Sequence, residues 1–377
     1  MERGLAELAY EDLDRKAPEA LARYQKLLAR QEDPAGCFYA GTCCLRLGKL
    51  PEAEAHFRRE LELDPADLDG YRGLYRVYAD QGRYEEALEQ LNLELSQVAK
   101  GTLDPTRLYE DKILIYRRLG QPKEALALVT ELERRYGYPD GDSLRYEICC
   151  QFGLWEEARR AAAAWSRRPG SAGEGAWAAL QLELYLGNLQ KVRLRLPLVR
   201  WKLSPQDGEG LQRTLAELEG NTRRTVELCS REVFSQPDSD YAYLNLAMAL
   251  MAAGRREEAV KAAQRAAELL EELLSGYSDS RALYETRYAM ALALVGRLPE
   301  GRKTLEAARQ LPLCRFCPYG SCKDAEIYEA AMEEFLGDPD RAMALYTQGQ
   351  ARWPDDTDFA AGLARLRKRG TPHADRH

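Results

Sequence analysis

Nine glycine residues recur along the chain at intervals of 33 to 42 residues, and this spacing constrains the fold more than any other feature. They are Gly48, Gly82, Gly120, Gly153, Gly187, Gly220, Gly254, Gly296 and Gly337. A period of this size is typical of repeat proteins, in which each small unit buries its apolar face only against its neighbours. The sequence therefore predicts an elongated array of repeated units with a long binding surface.

The segments that follow these glycines share a template that indicates paired helices. In GRYEEALEQL, which begins at Gly82, the glycine is expected to end one helix in a left-handed conformation, and the two acids open the next helix, where the helix dipole favours negative charge. Small residues stand five positions after six of the glycines, where they let antiparallel helices approach closely. These residues are Ala53, Ala87, Ala125, Ala158, Ala259 and Ala342.

Residues 35–68 show the complete unit, with small, aromatic, glycine and proline residues in a fixed order. The positions are Ala40, Gly41, Cys44, Gly48, Ala53, Phe57 and Pro65. This order resembles the tetratricopeptide repeat, a helical hairpin of about 34 residues. The resemblance implies an all-α fold, a right-handed superhelical solenoid of about ten such antiparallel helix pairs with a C-terminal capping helix.

The pattern also predicts how the chain is organised. The repeat array is expected to occupy residues 1–358, with an irregular region around 187–225, where Val192 and Thr225 replace the small residue and Pro197 interrupts a helix. A cysteine-containing insertion covers residues 312–323. Residues 359–370 are expected to form the capping helix, and residues 371–377 a flexible tail.

The composition argues against several classes of protein. A formal net charge of -7 and an isoelectric point near 5.4 disfavour a general nucleic-acid binder, which carries a basic surface. Residues 1–20 contain no apolar run typical of a signal peptide, and no segment reaches the roughly 18 apolar residues of a membrane span. We therefore expect a cytoplasmic protein, and the sequence does not define its oligomeric state.

Six arginines fall at positions that the resemblance places on the concave face of the second to fourth units. We call Arg46, Arg72, Arg76, Arg107, Arg117 and Arg118 the arginine stripe. Arginine forms paired contacts with carboxylates and phosphates, so the stripe predicts a partner protein or peptide with an acidic motif. The alternative is a solvated face that acids on adjacent turns partly neutralise.

The corresponding positions of the eighth and ninth units are apolar. They include Tyr241, Leu244, Met248, Met251 and Met290. Methionine is flexible and suits an adaptable peptide groove, whereas an apolar stripe with helical spacing also fits a packed core. The sequence leaves both interpretations open.

Cys314, Cys317 and Cys322 form a C-x2-C-x4-C pattern inside the predicted insertion. Thiolates in a tight turn converge on one ion, so the pattern suggests a site for zinc or an iron-sulfur cluster. A closed zinc site needs a fourth ligand, which the pattern does not supply. Free thiols, or a disulfide formed on oxidation, are the alternatives.

The run KVRLRLPLVRWK at residues 191–202 mixes basic and apolar residues. We expect neighbouring repeats to bury its leucines, because Pro197 breaks the helix that a membrane anchor would need. Elsewhere, no phosphate-binding glycine loop, metalloprotease helix or nucleophile elbow occurs. The chain is therefore predicted not to be an enzyme.

Together these observations predict a non-catalytic scaffold or adaptor that binds a protein or peptide along the concave face of its array. The alternative is a metal- or redox-responsive regulator that uses Cys314, Cys317 and Cys322. Outside that alternative, no cofactor is predicted.

Overall fold

The structure, a computed structural model, describes residues 17–98, 105–275, 281–311 and 322–370. Every regular element in these ranges is a helix, which confirms the predicted all-α fold. The chain divides into two compact units with a boundary between Tyr138 and Pro139. Each unit is described separately below.

The first unit contains seven described helices joined by short turns. They are α1 (Ala17–Leu28), α2 (Pro34–Arg46), α3 (Leu50–Leu63), α4 (Leu68–Asp80), α5 (Tyr84–Val98), α6 (Thr106–Arg118) and α7 (Pro122–Tyr136). Helix α1 packs on α2, and the later helices pack as hairpins, α2 with α3, α4 with α5, and α6 with α7. This is the helix pairing that the repeat spacing predicts.

The second unit contains thirteen described helices. They are α8 (Gly141–Gln151), α9 (Trp155–Trp165), α10 (Ala172–Tyr185), α11 (Leu189–Val199), α12 (Pro205–Leu218), α13 (Thr222–Ser235), α14 (Asp240–Ala252), α15 (Arg256–Leu274), α16 (Arg281–Leu294), α17 (Leu298–Ala308), α18 (Lys323–Leu336), α19 (Pro339–Arg352) and α20 (Thr357–Gly370). Leu274, at the end of one of them, and residues 281–282, at the start of the next, are assigned to the first unit. A 3-10 turn, Arg200–Lys202, follows α11.

The repeat glycines end the first helix of each hairpin as predicted, with one exception. Eight of the nine have φ between 65° and 96°, and at Gly82, for example, φ is 72° and the N–H donates to the oxygen of Ala79. A side chain disfavours this left-handed conformation, so glycine is the residue suited to it. Gly337 differs, because its φ is -130° and the left-handed turn predicted there is wrong.

The small residues after the glycines pack between helices as expected. All six alanines of the template are fully buried. A related contact surrounds Phe57, whose ring is fully buried on α3 against Gly41 and Gly73. A methyl group at Gly73 would lie 2.3 Å from Cδ1 of Phe57, so the ring fills the space that the glycines leave open.

The region around residues 187–225 corrects two expectations from the sequence. Pro197 does not break its helix, because α11 continues to Val199. Proline has no backbone N–H to donate, and the hydrogen bond lost for this reason falls in the last turn of α11. The leucines of the basic run are not all packed. Leu196 is buried, but Leu194 and Leu198 are each 72% exposed and Trp201 is 79% exposed. Residues 194, 198 and 201 share one helical face, which points to solvent.

The predicted capping helix forms as α20, which begins at Thr357. Its buried face consists of Phe359, Ala361, Leu363 and Leu366. Helix α20 packs against α18 and α19, which precede it, and also against α12, which lies about 150 residues earlier in the chain. The second unit therefore brings its last helix back to one of its earlier helices.

Candidate functional site

The arginine stripe lies on the first helices of three successive hairpins in the first unit. Arg46 ends α2, Arg72 and Arg76 lie on α4, and the other three lie on α6. The side chains of Arg72, Arg76 and Arg107 are exposed, whereas those of Arg46, Arg117 and Arg118 are half-buried. Repeat geometry thus places these arginines on equivalent elements.

Arg72 forms an ion pair with a buried carboxylate of the same unit. Its Nε donates to Oε1 of Glu94 at 2.7 Å, and its Nη1 lies 3.1 Å from the carboxylate of Asp69. Glu94 on α5 is fully buried. Burial raises the pKa of its carboxyl group, whereas the charge and the hydrogen bond of Arg72 lower that pKa. Arg72 therefore compensates a buried charge as well as facing solvent.

Arg76 and Arg118 both act electrostatically on Tyr75, a residue that the sequence pattern did not single out. Burial and the carboxylate of Asp111 raise the pKa of the Tyr75 hydroxyl, and the charges of Arg118 and Arg76 lower it. The Arg118 guanidinium also lies 6.0 Å from the ring centre of Tyr84. Charges from α4 and α6 thus act on one tyrosine hydroxyl.

Arg107 is exposed, and within the described ranges it forms no ion pair. It lies in the first turn of α6, which contains no acidic residue. Within the described residues, the arginine stripe therefore contains one cation without an ion pair and two arginines whose charges act on Tyr75.

The apolar positions predicted as a groove divide into two groups. Leu244 and Met290 are fully buried, so they belong to the core and the groove interpretation is wrong for them. Met251 is half-buried. Tyr241 and Met248 line a cavity inside the second unit.

This partly enclosed cavity has a volume of about 230 Å³. Side chains from α12, α13, α14, α16, α18, α19 and α20 line it. Helix α20 closes one side, where the Nζ of Lys368 donates to the oxygen of Gly220 at 2.8 Å. Most ligand sites are concave and combine apolar walls with a few polar groups, and this cavity has that character.

Four basic side chains line the cavity, and each has an acidic partner in the same unit. Arg213 lies 3.4 Å from Glu217, Arg287 3.1 Å from Asp240, Lys323 2.5 Å from Asp356, and Arg365 2.8 Å from Glu334. The pair with Glu334 is the most buried, since that carboxylate is shielded from solvent. The positive charges of the wall are therefore matched internally.

Two carboxylates of the wall are not matched in this way. Asp324 and Asp358 form no ion pair within 4 Å in the part of the chain that the structure describes. Burial raises the pKa of the Asp324 carboxyl group, against the opposing charges of Lys323 and Arg287. Asp358 is exposed, and the desolvation imposed by the surrounding side chains, with the charges of Asp356 and Glu217, raises the pKa of its carboxyl group to about 7.

Two hydrogen-bond donors of the wall also lack acceptors. Asn245 is 7% exposed, and within the described residues neither its Nδ2 nor the Nε of Arg287 has a hydrogen-bond partner. Buried polar groups without partners are uncommon in folded proteins, and both of these atoms are shielded from the cavity as well as from bulk water. Sequence reasoning missed these residues because they come from helices that are far apart in the chain.

The metal hypothesis falls largely outside the described residues. Cys314 and Cys317 lie there, and Cys322, the residue before α18, is buried. Among the residues that the structure describes, no group of three or more His, Cys, Asp or Glu side chains is arranged to hold a metal ion. The three-cysteine site stays a prediction.

Models of the tetratricopeptide repeat match residues 5–67, 45–102 and 241–282. These segments of the chain are tetratricopeptide repeats. The matched segments carry glycine and alanine positions of the hairpins described above, among them Gly48, Ala53, Gly254 and Ala259. Tetratricopeptide repeat arrays present extended concave surfaces, and proteins built from them are generally non-catalytic scaffolds.

Several solved structures are similar to the chain at low sequence identity. A tetratricopeptide repeat protein from Parabacteroides merdae is 17% identical, with a TM-score of 0.45, and the match covers 66% of this chain and 98% of that one. YrrB, a tetratricopeptide repeat protein with an unusual peptide-binding site, is 20% identical, with a TM-score of 0.34 and coverage of 50% and 92%.

A chain of the Naa15/Naa10 complex bound to HypK-THB is 12% identical, with a TM-score of 0.35, and the match covers 95% of this chain. The present chain spans 64% of that one. No curated protein sequence matches the chain. Among the described helices, none is both long enough and apolar enough to cross a bilayer.

Proposed function

We propose that the protein is a non-catalytic scaffold whose arginine stripe binds an acidic motif of a partner protein or peptide. The observation that carries the proposal is the position of Arg107, which is exposed and without an ion pair in the described residues, on the same helix as Arg118. Arg76 and Arg118 near Tyr75 extend this surface onto α4. A guanidinium suits the planar carboxylates of such a motif.

The experiment measures binding of acidic peptides and of partners captured from a native lysate by the full chain. Arg76, Arg107 and Arg118 are changed together to glutamate, while Arg72 is kept because Glu94 depends on it. We expect the charge reversal to abolish binding, and the corresponding lysine variant to retain part of it.

A matched control reverses arginines away from the stripe. Arg255 and Arg265 are exposed and pair with Glu258 and Glu268 within their own helical turns. Their reversal to glutamate should leave binding unchanged. Survival of binding to every captured partner after reversal of the stripe would show that these arginines form only a solvated face.

A further inference from the structure

The outward face of α11 and of the 3-10 turn after it is apolar, although the surrounding segment is basic. Leu194 and Leu198 are each 72% exposed, and Trp201 is 79% exposed. Pro197 lies on the same side of the helix and is also exposed. We call these four residues the α11 ridge. Apolar side chains that stand together on a protein surface mark a place where another surface binds.

The polar atom of the Trp201 ring already has a partner within the chain. Its indole Nε1 donates to the backbone oxygen of Leu198 at 3.2 Å. That oxygen belongs to the last turn of α11, so the same hydrogen bond satisfies one of the carbonyls that a helix end leaves open. A hydrogen-bonding group that enters an apolar medium without a partner is unfavourable. Trp201 avoids this penalty, and its exposed ring can leave water as an apolar group.

Cations lie along both sides of the α11 ridge. Successive residues of an α-helix are about 100° apart, so Arg193 and Arg195 lie about 100° to either side of Leu194. Lys202 is exposed, and its Nζ lies 5.2 Å from the ring centre of Trp201. Residues 189–202 contain five basic residues and no acidic one. The outward face is therefore an apolar strip with positive charge at its edges.

Two of the edge cations have no acidic partner. Arg193 lies 2.5 Å from the carboxylate of Glu219. Arg195 and Lys202, in contrast, are exposed and form no ion pair in the part of the chain that the structure describes. Charge complementarity therefore favours a negatively charged surface against the α11 ridge.

A bilayer with acidic headgroups meets both the apolar and the electrostatic requirement. The side chains of Leu194, Leu198 and Trp201 project with about three quarters of their surface in solvent, so a partner has to enclose them on several sides. Lipids rearrange around a projecting side chain, whereas one peptide helix covers a single side. Leucine and tryptophan at the acyl boundary, with lysine and arginine at the headgroups, is the arrangement of helices that lie in a membrane interface.

We propose that the α11 ridge docks the protein on a bilayer that contains anionic lipids, with its leucines and Trp201 in the acyl boundary and Arg195 and Lys202 at the headgroups. The protein then lies on the bilayer and does not span it. Pro197 is compatible with this role because α11 continues past it. The proposal concerns the second unit alone and goes beyond the acidic-motif binding proposed for the arginine stripe.

The test is flotation of the full chain with vesicles of phosphatidylcholine that contain either no phosphatidylserine or about 30 mol% of it. We expect at least about tenfold tighter binding to the vesicles with phosphatidylserine, and weaker binding as the salt concentration rises. Vesicles with brominated acyl chains should quench the fluorescence of Trp201, which is the only one of the five tryptophans that is exposed in the described residues. Trp201→Phe should keep most of the binding and lose this quenching.

Variants of the α11 ridge and of its edges decide where the bilayer is bound. Leu194→Ser combined with Leu198→Ser should weaken binding by at least about tenfold, because two inserted side chains are lost. Arg195→Glu combined with Lys202→Glu should weaken binding to the phosphatidylserine vesicles by about tenfold or more. All four positions are exposed, so both variants should melt at the temperature of the parent.

Matched controls change the same kinds of residue elsewhere. Leu93→Ser alters a leucine that is 47% exposed on α5, and Lys261→Glu with Lys303→Glu reverses two exposed cations of the second unit. Both should bind vesicles as the parent does. The charge-reversed variant of the arginine stripe should do so as well, which separates this surface from the one in the proposed function.

Several results would overturn the proposal. One is the absence of binding at millimolar lipid with phosphatidylserine, and another is unchanged binding in the stably folded variant of Leu194 and Leu198. If the parent does not bind vesicles but self-associates, and that variant does not, the α11 ridge is a contact between copies of the chain. If the variant instead loses an acidic peptide or a captured protein, the α11 ridge is a protein-docking surface.

Discussion

The Nζ of Lys368 donates to the backbone oxygen of Gly220 at 2.8 Å, which joins α20 to the turn after α12. A cation is favoured at the C-terminal end of a helix, and this carbonyl lies at the end of α12. We expect Lys368→Met to weaken the docking of α20 by about 1 kcal/mol. Hydrogen exchange of the α20 amides should then become roughly fivefold faster.

Lys303→Met is the control for this prediction, because Lys303 is exposed on α17 and forms no ion pair in the described ranges. Its exchange profile should match that of the parent. Unchanged protection of α20 in the Lys368 variant would mean that apolar packing alone holds the helix.

The ion pair between Arg72 and Glu94 predicts a rescue experiment. Arg72→Ala leaves a fully buried carboxylate without its cation and should lower the free energy of unfolding by about 1–3 kcal/mol. Glu94→Leu in that background should restore most of the loss, since Leu132 fills the same repeat position, twelve residues after Gly120. Urea unfolding measures both effects.

Arg107→Ala provides the comparison, because Arg107 is exposed and should change stability little. If the double variant were as unstable as Arg72→Ala alone, the buried charge would not be the cause of the loss.

Glu60 predicts an unusual dependence of stability on pH. It occupies the position equivalent to Glu94, twelve residues after Gly48, but Phe38 stands where Arg72 would be, ten residues before the glycine. Both carboxyl oxygens lack hydrogen-bond partners in the described residues, and burial, with nearby acids, raises the pKa of Glu60 from 4.5 to about 8.

The carboxyl group of Glu60 therefore binds its proton more tightly in the folded state than in the unfolded state. The free energy of unfolding should then fall by at least about 1 kcal/mol as the pH rises from about 5 to about 8. Glu60→Gln should flatten this part of the profile, measured by urea midpoints at several pH values. Glu89→Gln, at an exposed position on α5, should leave the slope unchanged. A parent protein whose stability rises over this range would contradict the assignment.

The contact between Gly73 and Phe57 predicts a strong effect of a single methyl group. Gly73→Ala would place carbon 2.3 Å from the Phe57 ring, so the helices must separate, at a cost of about 1–3 kcal/mol. Gly210→Ala makes the same change inside α12, where nothing lies within 4 Å, and should be neutral or slightly stabilising. Thermal melts compare the two, and equal melting temperatures would count against tight packing at Phe57.

The three-cysteine pattern gives a test of the metal-responsive alternative. If that alternative holds, protein purified without chelator contains close to one equivalent of zinc, or the iron of a cluster, and changing Cys314, Cys317 and Cys322 to serine removes it. Metal analysis measures the content. Less than about one-tenth of an equivalent in the unaltered protein would leave a free-thiol loop as the correct description.

The hairpins were predictable because their signals are local. Gly82 ends a helix through its own left-handed conformation, and Ala87 packs between helices five residues later. The helix end and the buried position can therefore be predicted from residues that are close together in the sequence. The arginine positions follow from the same register. Gly337 shows the limit, because it stands at the right interval but has a negative φ of -130° in place of the left-handed conformation.

The cavity was not predictable in this way. Asn245 and Asp358 are more than one hundred residues apart, and their proximity depends on how α20 packs back on α12. The sequence left open whether the apolar positions of α14 line a groove or pack in the core, and the structure buries Leu244 while Tyr241 lines the cavity. Which of these positions is buried is set by packing between helices and is not encoded in one repeat.

The return of α20 to α12 has a practical consequence for dissecting the protein. A truncated protein that stops before Thr357 would lack Asp358 and Arg365, and with them one side of the cavity. Its remaining repeats can still fold, because each hairpin depends mainly on its neighbours. Such a fragment would therefore keep its hairpins but lose this cavity, so functional mapping by deletion needs residues 357–370 in every fragment.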